Sequence, residues 1–256
     1  MTDHAFDTSP QAYARIGGAL YLIIIVLGLF AEGFVSSTLI VSGDAGATAQ
    51  NIMASPALWR VGVAANLIVP ICAVPLLLIE YLLLRPVNRH LVLLAVLFNV
   101  VSLAMEGVSK IHLLEVTALL EEGSAYSAAF EPQQLHALVQ LALKSHGAAW
   151  NLALIFFGFT CVIYGVLIFK SGYLPKAIGV LMQLAGMSYL TACFSAFFAP
   201  ALADRIIPGI LLPAFIGESS LCLWLLVKGV NLQKWPEQWP GGLPSGLGAG
   251  KPLHAS

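Results

Sequence analysis

Six stretches of this sequence are each long and apolar enough to cross a membrane as a helix, and they leave little of the chain over. A helix that spans the hydrocarbon core needs about 20 mainly apolar residues. Lipid cannot satisfy backbone hydrogen bonds, so open irregular structure is not tolerated there. We therefore predict an all-α polytopic bundle whose transmembrane helices occupy residues 16–41, 57–84, 91–116, 146–169, 174–199 and 206–227.

The scarcity of charge supports the same fold class. Charged residues make up 10% of the 256 residues, whereas soluble domains carry about 25%. Such a chain cannot cover a water-facing surface, which excludes a soluble enzyme. The formal net charge of −1 gives no attraction for nucleic acid. We expect the lipid bilayer as partner, no nucleic-acid partner and no cofactor, since phosphate-loop and dinucleotide motifs are absent from the sequence.

The distribution of Lys and Arg predicts the orientation. Eight of the twelve lie at the amino terminus, in the turns at 85–90 and 170–176, and in the tail, and four lie on the other side. The positive-inside rule then places both termini in the cytoplasm. Asp3 and Asp7 stand where a signal peptide would carry basic residues, so the first apolar segment is expected to be retained.

Two shorter segments between the spans predict surface helices. Residues 44–55 begin with Asp44, a favoured N-cap, and residues 132–145 begin with Pro132, a favoured first helical residue. The second segment is amphipathic and is expected to lie along the membrane interface until the chain enters the bilayer at His146.

The chain divides into one membrane domain and a tail. We assign residues 1–232 to a single transmembrane domain and residues 233–256 to a Pro/Gly-rich cytoplasmic tail. The tail is expected to be disordered, with Trp235 and Trp239 as interfacial anchors.

Carboxylates within the spans are the first candidates for function, because a charge near the bilayer centre is costly. At about 1.5 Å per residue, Glu218 lies about 15 Å from Lys228, near the midplane. Pro213 is expected to bend the helix beside it. The alternative is that Glu218 only packs, bonded to Gln183 or Asn99. Glu80 lies about 8 Å from Arg85 and is interpreted as interfacial.

The third segment carries a polar stripe that must face other helices or water. The stripe consists of Asn99, Ser102, Glu106, Ser109 and Lys110. Two interpretations remain open: Glu106 and Lys110, four residues apart, neutralise each other, or the stripe lines a pocket. The predicted ligand-binding set is Glu218, Glu106, Glu32, Asn99, Ser102 and Gln183.

Three classes of function fit these residues. The preferred hypothesis is a buried, carboxylate-lined pocket that binds or transports a small or amphipathic molecule. The first alternative is an intramembrane enzyme that uses Glu and His residues at the outer side, with His112, His146 and Glu106 as a weaker metal-ligand set. Because the sequence contains no motif with metal-ligand spacing, we predict no metal. The second is a structural or regulatory partner whose polar residues serve helix packing.

Several short sequence motifs are similar to those of a known protein family. They are Gly43-Asp44-Ala45 followed by Asn51-Ile52, Tyr81-Leu82-Leu83-Leu84-Arg85-Pro86-Val87-Asn88, Gly172-Tyr173-Leu174-Pro175-Lys176, Gly217-Glu218 and Trp224-Leu225-Leu226-Val227-Lys228-Gly229-Val230. The chain thereby resembles, from about residue 12 to 232, a large bacterial family of polytopic membrane proteins known as domain of unknown function 4386. The resemblance implies a multi-pass protein of the bacterial cytoplasmic (inner) membrane, and it supplies no reaction, ligand or catalytic residue.

Overall fold

The computed structural model describes residues 9–236 except 122, 124 and 208, and the regular structure of these residues is helical throughout. Six helices are long and apolar enough to cross a membrane, as predicted. They are α1 (Pro10–Leu39), α3 (Pro56–Leu84), α4 (Arg89–Leu120), α6 (Pro132–Ser171), α7 (Lys176–Phe198) and α9 (Leu212–Val227), the last preceded by a 3-10 turn, Gly209–Leu211. Three shorter helices connect them: α2 (Ala45–Ala54), α5 (Ala125–Ala129) and α8 (Pro200–Ile206).

The six long helices form a ring. Each packs against the next one along the chain, and α9 closes the ring by packing against α1. We call the end that α2 covers the capped end, and the opposite end, where α1 begins and α9 finishes, the terminal end. A hydrophobic cluster that includes Val35, Trp59 and Val116 fills the capped end. A larger cluster that includes Leu83, Tyr164 and Leu225 fills the terminal end.

Helix α2 begins as the sequence predicts, with the Asp44 carboxylate accepting a hydrogen bond of 2.8 Å from the backbone N–H of Ala47. Helix α6 likewise begins at Pro132, and Glu131 and Gln134 form a reciprocal capping box ahead of it. The separate interfacial helix at 132–145 is a wrong prediction. These residues continue without a break into the fourth span. Val139 and Ala142, on the apolar face of this segment, are buried in the capped-end cluster, so the face packs against protein and not against lipid.

The predicted bend at Pro213 is also wrong. Helix α9 begins at Leu212, so Pro213 lies in its first turn. A proline in that position removes no helical hydrogen bond, because the N–H groups of a first turn have no partner within the helix. Helix α3, in contrast, is continuous through both Pro70 and Pro75. Helix α1 changes to π-helical geometry over Leu29–Ser36, in the part that approaches the capped end.

The terminal end is closed by contacts between distant parts of the chain. The Gln11 side chain donates to the carbonyl of Lys228 and accepts from the N–H of Val230. The N–H of Asn231 donates to the carbonyl of Tyr173, and the ring of Trp235 packs on that tyrosine with centroids 4.5 Å apart. Both termini of the bundle and the α6–α7 connection are therefore held together. The rest of the predicted tail, residues 237–256 with Trp239, lies outside the described residues.

The orientation predicted from the Lys and Arg count can be tested by thiol labelling. Ser42 is exposed beyond the end of α1, and Gln233 is exposed at the terminal end. If both termini are cytoplasmic, a membrane-impermeant maleimide added outside intact cells should label Ser42→Cys and spare Gln233→Cys. The parent protein is the control, since three of its four cysteines are buried and Cys72 is half-buried within a span. The reverse labelling pattern would invert the assignment.

Candidate functional site

A cavity of about 310 Å³ lies inside the ring, between the two hydrophobic clusters. Every spanning helix contributes to its wall. Most of the lining is apolar, with Ile25, Leu76 and Phe157 as examples. The polar lining residues are Tyr21, Glu80, Asn99, Ser102, Glu106, Trp150, Tyr189 and Glu218.

Four residues of the predicted ligand-binding set line this cavity: Asn99, Ser102, Glu106 and Glu218. The polar stripe of α4 is buried, with exposed fractions between 0% for Ser109 and 7% for Glu106. Its predicted inward direction is therefore confirmed. The Ser102 hydroxyl is already used, since it donates to the carbonyl of Ala153 across the α4–α6 contact at 2.8 Å.

Glu218 is held by two tyrosines from neighbouring helices. The Tyr21 hydroxyl donates to Oε2 over 3.0 Å, and the Tyr189 hydroxyl donates to Oε1. The predicted alternative partners, Gln183 and Asn99, are therefore wrong. Gln183 does not line the cavity, because it lies in the α6–α7 contact and donates to the carbonyl of Gly179 on its own helix.

The interfacial interpretation of Glu80 is wrong as well. The residue is 7% exposed and lines the cavity. Its distance from Arg85 along the helix suggested a route to water, but Leu83, Tyr164 and Leu225 of the terminal-end cluster close that route. Within the described residues, neither Glu80 nor Glu218 forms an ion pair with a basic side chain.

Glu106 satisfies both interpretations left open by the sequence. Lys110 Nζ lies 4.0 Å from its Oε1 atom, and the carboxylate also forms part of the cavity wall. The lysine is buried, donates to Asn66 Oδ1 at 2.7 Å, and stands over the ring of Trp150 at 4.0 Å from its centroid. Glu106 Oε1 is buried, and it has no hydrogen-bond partner among the residues described.

The Glu and His residues near the capped end form two separate pairs. Glu32 is not part of the cavity wall; its Oε1 lies 3.8 Å from His146 Nε2, and its Oε2 accepts from the Ser36 hydroxyl. His146 Nδ1 faces the carbonyl of Ser109 at 2.9 Å. His112 turns to Glu115 instead, at 2.8 Å.

The alternative metal-ligand set of His112, His146 and Glu106 is consequently not brought together. Across the part of the chain that the structure describes, no three His, Cys, Asp or Glu side chains could hold a metal ion.

Comparison with known proteins agrees with the resemblance seen in the sequence. An uncharacterized protein of Archaeoglobus fulgidus is 27% identical over 154 residues, which is 60% of this chain and 75% of that protein. No solved structure matches the chain. The family described as "Domain of unknown function (DUF4386)" matches residues 16–229, which includes all six spanning helices in part or whole. The chain therefore belongs to the DUF4386 family.

Proposed function

We propose that this protein binds, or binds and transports, a small amphipathic molecule in the cavity at the centre of the ring. The observation that carries the proposal is the cavity itself, to which all six spanning helices contribute apolar side chains with a few polar groups among them. Ligand sites in proteins have this composition, and their volumes begin at about 300 Å³. A purely structural bundle would instead be expected to fill its interior with side chains.

The route into the cavity supports an amphipathic ligand that arrives through the bilayer. Leu29 and Phe215 line the cavity yet are 52% and 48% exposed, so they stand where it meets the outer surface. Helices α1 and α9 touch near the terminal end, where Cys222 donates to the carbonyl of Gly18. Toward the capped end their neighbours differ, since α1 packs on α3 and the 3-10 turn before α9 packs on α7. We infer that the cavity opens toward lipid through a gap between α1 and α9 at this level.

Both ends of the ring are blocked by packed side chains, which favours this lateral route over an aqueous one. Transport would need the contacts of Gln11, Tyr173 and Trp235 at the terminal end to open, and binding needs no such change. The proposed location is the bacterial cytoplasmic membrane, with the gap in its outer half. The enzyme alternative has only the Glu32–His146 pair in its favour, and that pair lies off the cavity wall.

A photoreactive probe tests the proposal. Decanol carrying a diazirine on its chain would be added to the protein in nanodiscs, illuminated, and located by peptide mass spectrometry. We expect labelling of cavity residues such as Leu154 and Phe157, and competition by unlabelled decanol. Ala73→Phe should fill the cavity and lower that labelling by about tenfold, since a bulky side chain would occupy the ligand's space.

The matched control is Ala64→Phe, the same substitution on the same helix at an exposed position. It should leave labelling of the cavity residues unchanged. Labelling confined to the lipid-facing surface in the parent protein, or equal labelling in Ala73→Phe and Ala64→Phe, would contradict a binding role for the cavity.

A further inference from the structure

The cavity wall contains acidic side chains and no basic ones. Glu80, Glu106 and Glu218 line it, and none of its lining residues is a lysine, arginine or histidine. Glu106 has Lys110 at 4.0 Å on its far side, but Glu80 and Glu218 have no basic partner among the described residues. Carboxylates in a low-dielectric interior are costly unless a counter-charge or hydrogen bonds compensate them. The wall is therefore complementary to a positive charge inside the cavity.

Hydrogen-bonding capacity on the wall is left over for such a group. This capacity lies on Glu218 rather than on Glu106, because the Oε1 atom of Glu106 is buried and lies 4.0 Å from Lys110 Nζ. The oxygens of Glu218 each accept from one tyrosine hydroxyl. A carboxylate oxygen has two lone pairs, so each can accept a second donor. The tyrosines fix the direction of the Glu218 carboxyl group without using all of its acceptors.

The remainder of the wall suits a lipophilic organic cation better than a hydrated inorganic one. Phe157 and Phe215 present aromatic rings to the cavity, and the Phe157 ring packs edge-on against Tyr189 beside Glu218. Aromatic faces attract desolvated ammonium groups. Aliphatic residues of α1 and α3, such as Ile25 and Val69, line the space beyond them.

We propose that the ligand is a lipophilic amine, whose ammonium group binds Glu218 and the neighbouring wall carboxylates while its hydrocarbon part occupies the apolar space leading to the α1–α9 gap. This inference rests on the proposed function, since it names the chemical class of the molecule bound in the same cavity. An ammonium group supplies three hydrogen-bond donors together with the missing positive charge. Glu218 is the principal partner, because Tyr21 and Tyr189 already orient it.

The test compares three competitors that share a ten-carbon chain and differ in head group: decylamine, decanol and decanoate. Each would compete against the photoreactive decanol for the cavity residues of the protein in nanodiscs. We expect decylamine to compete at about tenfold lower concentration than decanol, and decanoate to compete most weakly, because charge-assisted hydrogen bonds exceed neutral ones in strength. Excess NaCl should leave the advantage of decylamine in place.

Two substitutions connect the effect to the wall. Glu218→Gln keeps a hydrogen-bonding group beside both tyrosines and removes the carboxylate, so we expect decylamine to lose its advantage over decanol and to compete at a similar concentration. Glu80→Gln should reduce the same advantage by a smaller factor. Glu115→Gln is the control, because its carboxylate is half-exposed and pairs with His112 away from the cavity.

Retained decanol competition in these variants demonstrates that they are folded and that the cavity still binds. Equal competition by decylamine and decanol in the parent protein would overturn the amine proposal and leave the binding proposal standing. An advantage of decylamine that persists in both Gln variants, or that excess NaCl removes, would also overturn it. Absence of any cavity labelling by the decanol probe would instead contradict the proposed function itself.

Discussion

Replacement of Gly186 by leucine is expected to force α6 and α7 apart and to lower the free energy of unfolding by about 3 kcal/mol, the upper end of the usual cost of overpacking. A methyl group placed at Gly186 would lie 2.5 Å from the carbonyl oxygen of Gly158, and one at Gly165 would lie 2.6 Å from that of Gly179. These two carbonyl oxygens belong to the backbone, which cannot move aside as a flexible side chain can. Small residues at such contacts let helix backbones approach each other in membranes.

The matched control for this prediction is Gly107→Leu. Gly107 is exposed on α4, and a methyl group there would meet nothing within 4 Å. Both substitutions raise helix propensity to the same extent, so the difference between them isolates the helix contact. Unfolding by heat in detergent, followed by loss of monodisperse protein, gives the comparison. Similar midpoints for the two variants would mean that the α6–α7 contact contributes little to stability.

The spanning helices were predictable because a single physical requirement, about 20 apolar residues, defines each of them. The extension of α6 over residues 132–145 was not predictable, because an amphipathic segment can lie equally well at a membrane interface or on a protein surface. Packing against protein is favoured here because Val139 and Ala142 contact the capped-end cluster, whose other residues are distant in sequence. The seven-residue spacing of Gly158 with Gly165, and of Gly179 with Gly186, is a sequence signal that favours a close helix pair.

The sequence predicts which face of a single helix points inward, but it does not predict which side chains of different helices meet in the candidate site. The α4 stripe identifies its own inward face, because five polar residues share one side of an apolar helix. For Glu80, depth alone suggested an interfacial position, and only the packing of Tyr164 and Leu225 over it shows otherwise. The tyrosine partners of Glu218 come from α1 and α7, and that meeting depends on the closure of the ring by α9.

Lys110 gives the second large expected effect. Replacement by methionine keeps most of the side-chain volume and removes the charge, so Glu106 loses its counter-ion and Asn66 Oδ1 loses its donor. Removing one partner of a buried ion pair costs about 3–5 kcal/mol, because the other charge remains buried without compensation. We expect Lys110→Met to lower the thermal midpoint sharply in detergent. Lys144→Met, the same change at an exposed position of α6, should leave the midpoint nearly unchanged.

A second substitution distinguishes the loss of the lysine from the exposure of its partner. If the cost arises from the charge left on Glu106, the double variant Lys110→Met with Glu106→Gln should recover most of the lost stability, because no uncompensated charge remains. If it arises from the contacts of Lys110 with Asn66 and Trp150, the double variant should be as unstable as the single one. Recovery would identify Lys110 as the counter-ion that allows an acidic side chain to form part of an apolar cavity wall. Glu80 and Glu218, which lack such a partner among the described residues, would then depend on protonation, on hydrogen bonds or on the ligand for the same purpose.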